Sequence, residues 1–381
     1  MPNSIEHTEL VWVDQPQKLR LVAEELASQE ILAVDTESNS LYAYREQVCL
    51  IQFSTPDKDY LIDALNLPDL SPLAEIFSSE RILKVFHAAE YDLICLFRDY
   101  GFRFKHLFDT MIAARSLGYQ KVGLGSLLEQ NFGIHMNKKY QRANWGKRPL
   151  KPEMLDYARL DSHYLIPLQE KLRAELIASN RWKLALEDFR RLTEGIEDTT
   201  ETNETDFWKL HGARDLSPEN AAVLKSLYQY RESIAEGQNR PPFKVISHQA
   251  LVAMAETCPK NIPELLNLSN LSDRQAKRYG RGLIQAIQKG KQAPPAYAPN
   301  HTRPHNSILE RIDALQEWRK HTGRDLGVPS DVVLPRDVLY RIAWENPGDM
   351  AELEAQMADV PYRFTRFGHK IISIISNGNP F

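Results

Sequence analysis

Apolar positions change their period part-way along this chain. In the first half, short apolar runs rich in β-branched residues read as strands: ILAVDTES (31–38), QVCLIQFST (47–55), KDYLIDA (58–64) and ILKVFHA (82–88). Between and after them, DLSPLAEIFSS (69–79), EYDLICLFRDYG (90–101) and TMIAARSLG (110–118) repeat apolar side chains every three or four residues, as helices do. Such alternation predicts an α/β sheet domain. From Asp161 onward the strand signals vanish, and DSHYLIPLQEKLRAELIAS (161–179) predicts one long amphipathic helix.

Two stretches read as linkers. EGIEDTTETNETDF (194–207) is acidic and without period, and KGKQAPPAYAPNHTRPHN (289–306) is rich in proline and short of large apolar residues. The segments after each linker match one another at a constant offset without a gap. Leu227 falls on Leu315, Tyr230 on Trp318, Arg231 on Arg319, Pro241 on Pro329, Val245 on Val333, Leu251 on Leu339, Pro259 on Pro347 and Leu265 on Leu353. A match of that length in register predicts a tandem repeat of small helical domains.

Charge separates the two halves. The whole chain carries a formal −4, but residues 1–205 are net acidic and residues 206–381 net basic. That asymmetry predicts a division of labour, with a polyanion held by the back half. Three distant cysteines (Cys49, Cys95, Cys258) form no metal-binding spacing and predict a reducing, cytoplasmic setting. No apolar stretch is long enough to span a bilayer, and the polar N-terminus does not read as a signal peptide.

Carboxylates supply the candidate chemistry. Asp35 and Glu37 are two apart at the end of a strand and so share a face. Asp92 follows another strand at the start of a helix, and Tyr157 and Asp161 lie four apart on a helix face. Two carboxylates about 4 Å apart repel by roughly 4 kcal/mol at an effective dielectric of 20, so four that converge call for divalent cations. Oxygen ligands without Cys or His favour Mg²⁺ or Mn²⁺ over Zn²⁺.

In order and context, VDTE (34–37), FHAAEYDL (86–93) and YARLD (157–161) resemble the three motifs of the DEDD exonucleases. The tyrosine before the last aspartate is that of the tyrosine-bearing branch, and WGKRPLKPEMLDYARLDSHYLIPL (145–168) is similar to the ribonuclease D family. The two repeats resemble HRDC domains, and the absence of a GxxxxGK[ST] phosphate loop sets a helicase aside. The resemblance implies an α/β RNase H-like exonuclease domain with a mixed sheet at 1–195, then two small all-α HRDC domains at 207–290 and 305–381. It implies a two-metal-ion 3′→5′ exoribonuclease that releases nucleoside 5′-monophosphates. Asp35, Glu37, Asp92 and Asp161 would hold the ions and Tyr157 would orient the attacking water.

The implied substrate is an RNA with a free 3′ end, a tRNA precursor above all. DNA, or a scaffold without activity, stays open, and so does the oligomeric state. His87 is a candidate contact to the terminal nucleotide, beside Ala88 where many DEDD members carry Asn. Asp109 is expected to cap a helix or support the site. In KKYQRANWGKRP (138–149), Arg142, Trp145 and Arg148 are candidates for backbone contact and base stacking. In the repeats, Lys277, Arg278 and Arg281, and then Arg363, Arg366 and Lys370, are candidates for phosphate contact, although HRDC domains also bind protein. The chemistry is expected to be complete within residues 1–205.

Overall fold

The four expected strands pair into one sheet, and two short strands not evident from the pattern complete it. The computed structural model describes residues 8–196, 206–268, 270–299 and 304–377. Strands β1 (Glu9–Val13), β2 (Ile31–Ser38), β3 (Val48–Ser54), β4 (Lys58–Ile62), β5 (Leu83–Phe86) and β6 (Leu107–Asp109) stand in the order β1-β4-β3-β2-β5-β6. β1 runs parallel to β4, β4 antiparallel to β3, and β5 parallel to both β2 and β6, so the sheet is mixed. All of β3 is buried, as a continuous apolar run in a sheet interior should be. β2 is buried through Ala33 and Val34 and only half-buried from Asp35 on, so its polar end emerges at the sheet's C-terminal edge.

Helices cover this sheet: α1 (Pro16–Ala27), α2 (Ala74–Ser78), α3 (Glu90–Tyr100), α4 (Thr110–Leu117), α5 (Leu124–Phe132), α6 (Pro152–His163), α7 (Leu165–Ala178) and α8 (Trp182–Glu194). The single long helix expected from Asp161 is two helices. Tyr164 leaves helical geometry between α6 and α7. Pro167 lacks the amide that would bond the His163 carbonyl, and its ring would clash there, so the chain turns at that step. Asp109 caps α4 as expected, accepting from the Met111 and Ile112 amides, and it also takes the Ala89 amide at 2.7 Å.

The repeat is realised helix by helix at the offset read from the sequence. The first copy is α9 (Pro218–Gly237), α10 (Pro242–Val245), α11 (His248–Thr257), α12 (Ile262–Leu266) and α13 (Asp273–Gln292). The second is α14 (Asn306–Leu326), α15 (Ser330–Val333), α16 (Arg336–Glu345), α17 (Met350–Gln356) and α18 (Pro361–Asn377). Even the left-handed caps correspond, Cys258 after α11 and Asn346 after α16. The first proposed linker falls mainly on 197–205, outside the described residues. Of the second, residues 289–292 finish α13, 293–299 have no regular structure, and 300–303 lie outside the described residues.

The described residues form two compact units that do not follow chain order. One holds 8–37, 48–196 and 304–377; the other holds 38–47 and 206–299. Thus the second repeat belongs with the sheet, whereas the loop that leaves β2 belongs with the first repeat. In that loop the Tyr44 amide donates to Asn239 Oδ1 at 3.0 Å and the Lys244 ammonium lies 4.1 Å over the Tyr42 ring.

Arg363 corrects the expectation made for it. It is fully buried, with Nη1 2.9 Å from Glu187 Oε2, Nη2 2.8 Å from Asp188 Oδ2, and Nη2 donating to the Val332 carbonyl at 2.8 Å. A guanidinium spent on α8 and α15 has no donors left for phosphate. Arg191 adds ion pairs to Asp337 and Asp359 in the same seam. Gly118, which ends α4 at φ +86°, also lies there, and a Cβ on it would strike the Gly327 carbonyl. The second repeat is therefore tied to α8 by ion pairs, one of them made by Arg363, which the sequence pattern had offered for phosphate contact.

Candidate active site

Three elements bring the expected carboxylates together, and all but Asp92 line one cleft. β2 delivers Asp35 and Glu37 from its C-terminal end, α3 delivers Asp92 from its first turn, and α6 lies across β3 and β4 with Tyr157 and Asp161. The cleft, about 360 Å³, is lined by Asp35, Glu37, His87, Tyr157 and Asp161, with Gly123–Ser126 and Met136–Lys138 forming another wall.

A buried network fixes α6. Asp59 on β4 takes the Arg159 guanidinium at 2.7 Å, His163 Nδ1 at 3.0 Å and the Ser54 hydroxyl at 2.6 Å. Burial alone would raise the Asp59 carboxyl, but the His163 and Ser54 hydrogen bonds hold it below the usual range. Arg159 and His163 sit two residues either side of Asp161, so pinning them pins the Asp161 backbone between.

Electrostatics shows that the carboxylates share one place. Burial first, and then the charges of Asp92, Asp161 and Glu37, push Asp35 well above the carboxylate range. Glu37 rises through burial and the charges of Asp161 and Asp92. Asp161 is pushed up to about 7 by burial and Asp92, against a lowering hydrogen bond from the Tyr157 hydroxyl. The Tyr157 phenol rises above its ordinary range through burial and the three acids Asp161, Glu37 and Asp35. A phenol so placed stays protonated at neutral pH, so its hydroxyl can form hydrogen bonds but cannot serve as a base.

Two of these acids are drawn aside by protein donors: Asp92 by the Thr36 hydroxyl and Asp161 by Tyr157. Among the described residues, no group of three or more His, Cys, Asp or Glu stands in the arrangement that holds an ion outright. The donor set nevertheless fits hard divalent cations. It is all carboxylate oxygen, half-buried, and each member disfavours the charge of its neighbours, a conflict that added positive charge relieves.

Comparison with known proteins bears on this geometry. A family model described as a 3′-5′ exonuclease matches residues 10–177, and the model of the HRDC domain matches 220–287 and 308–375. A ribonuclease D of Jannaschia sp. is 32% identical over 72% of this chain and 72% of its own length. This chain belongs to the ribonuclease D family. It carries a 3′–5′ exonuclease domain followed by helical HRDC domains. The exosome complex exonuclease RRP6 of Saccharomyces cerevisiae is 34% identical over 73% of this chain, which spans 40% of the yeast protein's length. The fold is shared with RNase D of Escherichia coli, at TM-score 0.71 and 22% identity over 96% of this chain and 99% of that one.

The residues expected to touch substrate separate into two groups. His87 lines the cleft, and Arg142 is exposed on its loop. Trp145 is buried, 1% exposed, with its ring 6.1 Å from that of Tyr157, so it cannot stack on a base. Its burial supports the tyrosine from behind. Arg148 reaches inward, Nε to Asp63 Oδ2 at 2.7 Å and Nη2 to Asp63 Oδ1 at 2.6 Å, with Nη2 also on the Cys49 carbonyl at 2.8 Å. This bidentate pair staples the 138–149 loop to the ends of β3 and β4, and it leaves no fork for phosphate. Thr36, Arg159 and Asp59 were not anticipated. Thr36 stood inside the VDTE motif as a signal, but Asp59 lies 100 residues from its partner Arg159.

Proposed function

We propose that this protein is a 3′→5′ exoribonuclease that shortens RNA with a free 3′ end and releases nucleoside 5′-monophosphates, a stable RNA such as a tRNA precursor being its substrate. The convergence of Asp35, Glu37, Tyr157 and Asp161 on one cleft carries the reading. Family membership and the matched exonuclease domain support it.

Asp35, Glu37, Asp92 and Asp161 would hold two divalent ions, Mg²⁺ or Mn²⁺. Bound there, the cations would neutralise the carboxylates and the charge that develops on the phosphodiester. Tyr157 stays protonated and hydrogen-bonded to Asp161, and it orients the attacking water through its hydroxyl. We place the catalytic domain at 1–195, the HRDC domains at 207–290 and 305–381, and the protein in the cytoplasm, where its three free cysteines remain reduced.

Incubating the full chain with 5′-labelled RNA and DNA oligonucleotides in Mg²⁺, Mn²⁺ or EDTA tests this. RNA should be trimmed with either metal and untouched in EDTA; trimming that persists in EDTA would overturn the metal assignment. Tyr157→Phe removes only the orienting hydroxyl, so kcat should fall by about 10- to 100-fold with KM within a factor of about two. A raised KM with kcat unchanged would show that the hydroxyl serves binding instead.

Lys277, Arg278 and Arg281 are exposed on α13 and remain candidates for RNA phosphates, as does Arg366 on α18. Replacing the first three with alanine should weaken binding of a long RNA and flatten its log-affinity against log-salt slope by about one per lost contact. An unchanged slope would remove α13 from the RNA path.

A further inference from the structure

His87 lines the cleft, and among the described residues its Nδ1 has a hydrogen-bond partner. Its Nδ1 lies 2.8 Å from the Thr110 hydroxyl, and that hydroxyl lies 3.1 Å from the Phe86 carbonyl oxygen. A carbonyl can only accept, so the single hydroxyl proton of Thr110 goes to Phe86. Thr110 must then accept from His87, which places the imidazole proton on Nδ1. With Nδ1 turned to buried Thr110, the lone pair belongs to the opposite nitrogen, Nε2, of a ring that lines the cleft. Burial holds the ring well below its ordinary pKa, at about 4, so it stays neutral at pH 7.

An uncharged acceptor is of little use to a phosphate, whose oxygens also only accept. It suits a donor, and the donors that an RNA 3′ end brings to such a site are ribose hydroxyls. We infer that His87 Nε2 accepts a hydrogen bond from a hydroxyl of the 3′-terminal ribose, making His87 a residue that selects the sugar end. This rests on the exoribonuclease reading and adds to it the group that recognises the sugar. Thr110 is the positioning residue, because it sets which nitrogen carries the proton. A site built around an acceptor rejects a ligand that lacks the donor, since the buried lone pair then goes unpaired.

Two measurements on the full chain test this. In ¹⁵N-resolved spectra, His87 should be neutral at pH 7 with the proton on Nδ1; a proton on Nε2 would overturn the inference without any appeal to activity. In parallel, kcat/KM is compared for one RNA ending in ribose, in 2′-deoxyribose or in 3′-deoxyribose. The wild type should discriminate against one deoxy end by about tenfold, the arm that loses identifying the hydroxyl. In His87→Leu that ratio should fall to within about twofold, through slower cleavage of the ribose-ended RNA. His87→Gln, whose amide can place an oxygen near the Nε2 position, should recover part of it. Thr110→Val should lower the ratio while leaving His87 in place. A wild type that cleaves all three ends equally would sink the role of His87 alone, and a wild type inactive on every RNA would sink the exoribonuclease reading with it.

Discussion

Asp161→Asn and Asp35→Asn should each lower RNA hydrolysis by at least about a thousandfold, equivalent to roughly 4 kcal/mol of lost transition-state stabilisation. Asparagine keeps the shape and loses the charge, so the cleft remains and the cation ligands do not. The same changes should not weaken the fold. Asp35 is disfavoured by its own burial and by three neighbouring acids, and Asp161 by burial and Asp92, so removing either charge relieves repulsion. In EDTA both variants should melt at the parent's temperature or above it. Hydrolysis within tenfold of the parent, in protein cleared of contaminating nuclease, would remove these residues from the site. A fall in melting temperature of several degrees would show that the carboxylates are structural.

The second large effect lies in the seam between α8 and the second repeat. Arg363→Ala should cost about 3–5 kcal/mol in urea unfolding, because it leaves Glu187 buried and without its cation. Burial already raises Glu187 and Asp188 above the carboxylate range despite Arg363 beside them, so the pair has little to spare. A chain cut after residue 205 exposes the same face and should melt below the full chain, even if its chemistry is complete. Replacing Arg366, exposed one turn along α18, should change stability by less than about 0.5 kcal/mol and act as the control. A loss below about 1 kcal/mol for Arg363→Ala would mean that other contacts hold the repeat.

What could be read from the sequence followed from local rules. The strands β2 to β5 were evident from β-branched runs, and the repeat from an offset that needs no tertiary knowledge. β6 has only three residues, too few for a period, and β1 was not distinguished from the polar N-terminal stretch. The carboxylates were singled out because their three motifs, in order and context, resemble those of the DEDD exonucleases; a strand-end acid or a Tyr–Asp pair one helix turn apart is by itself as easily a cap or a surface pair. Trp145, Arg148 and Arg363 were misplaced for one reason. A basic or aromatic residue in a polar segment looks exposed until its partner is known, and the partners are far away: Asp63 lies 85 residues from Arg148, and Glu187 lies 176 from Arg363. Nor did any pattern announce that residues 38–47 pack with the first repeat, since Tyr44 meets Asn239 across 195 residues.

A 5′-labelled RNA with a 3′-hydroxyl, beside a circular RNA of the same sequence, separates an exonuclease from every other hydrolase. With Mg²⁺, the linear RNA should shorten one nucleotide at a time into a ladder, with nucleoside 5′-monophosphates as the released product and the circle left intact. Early internal fragments, or a circle opened as fast as the linear RNA is trimmed, would contradict the assignment.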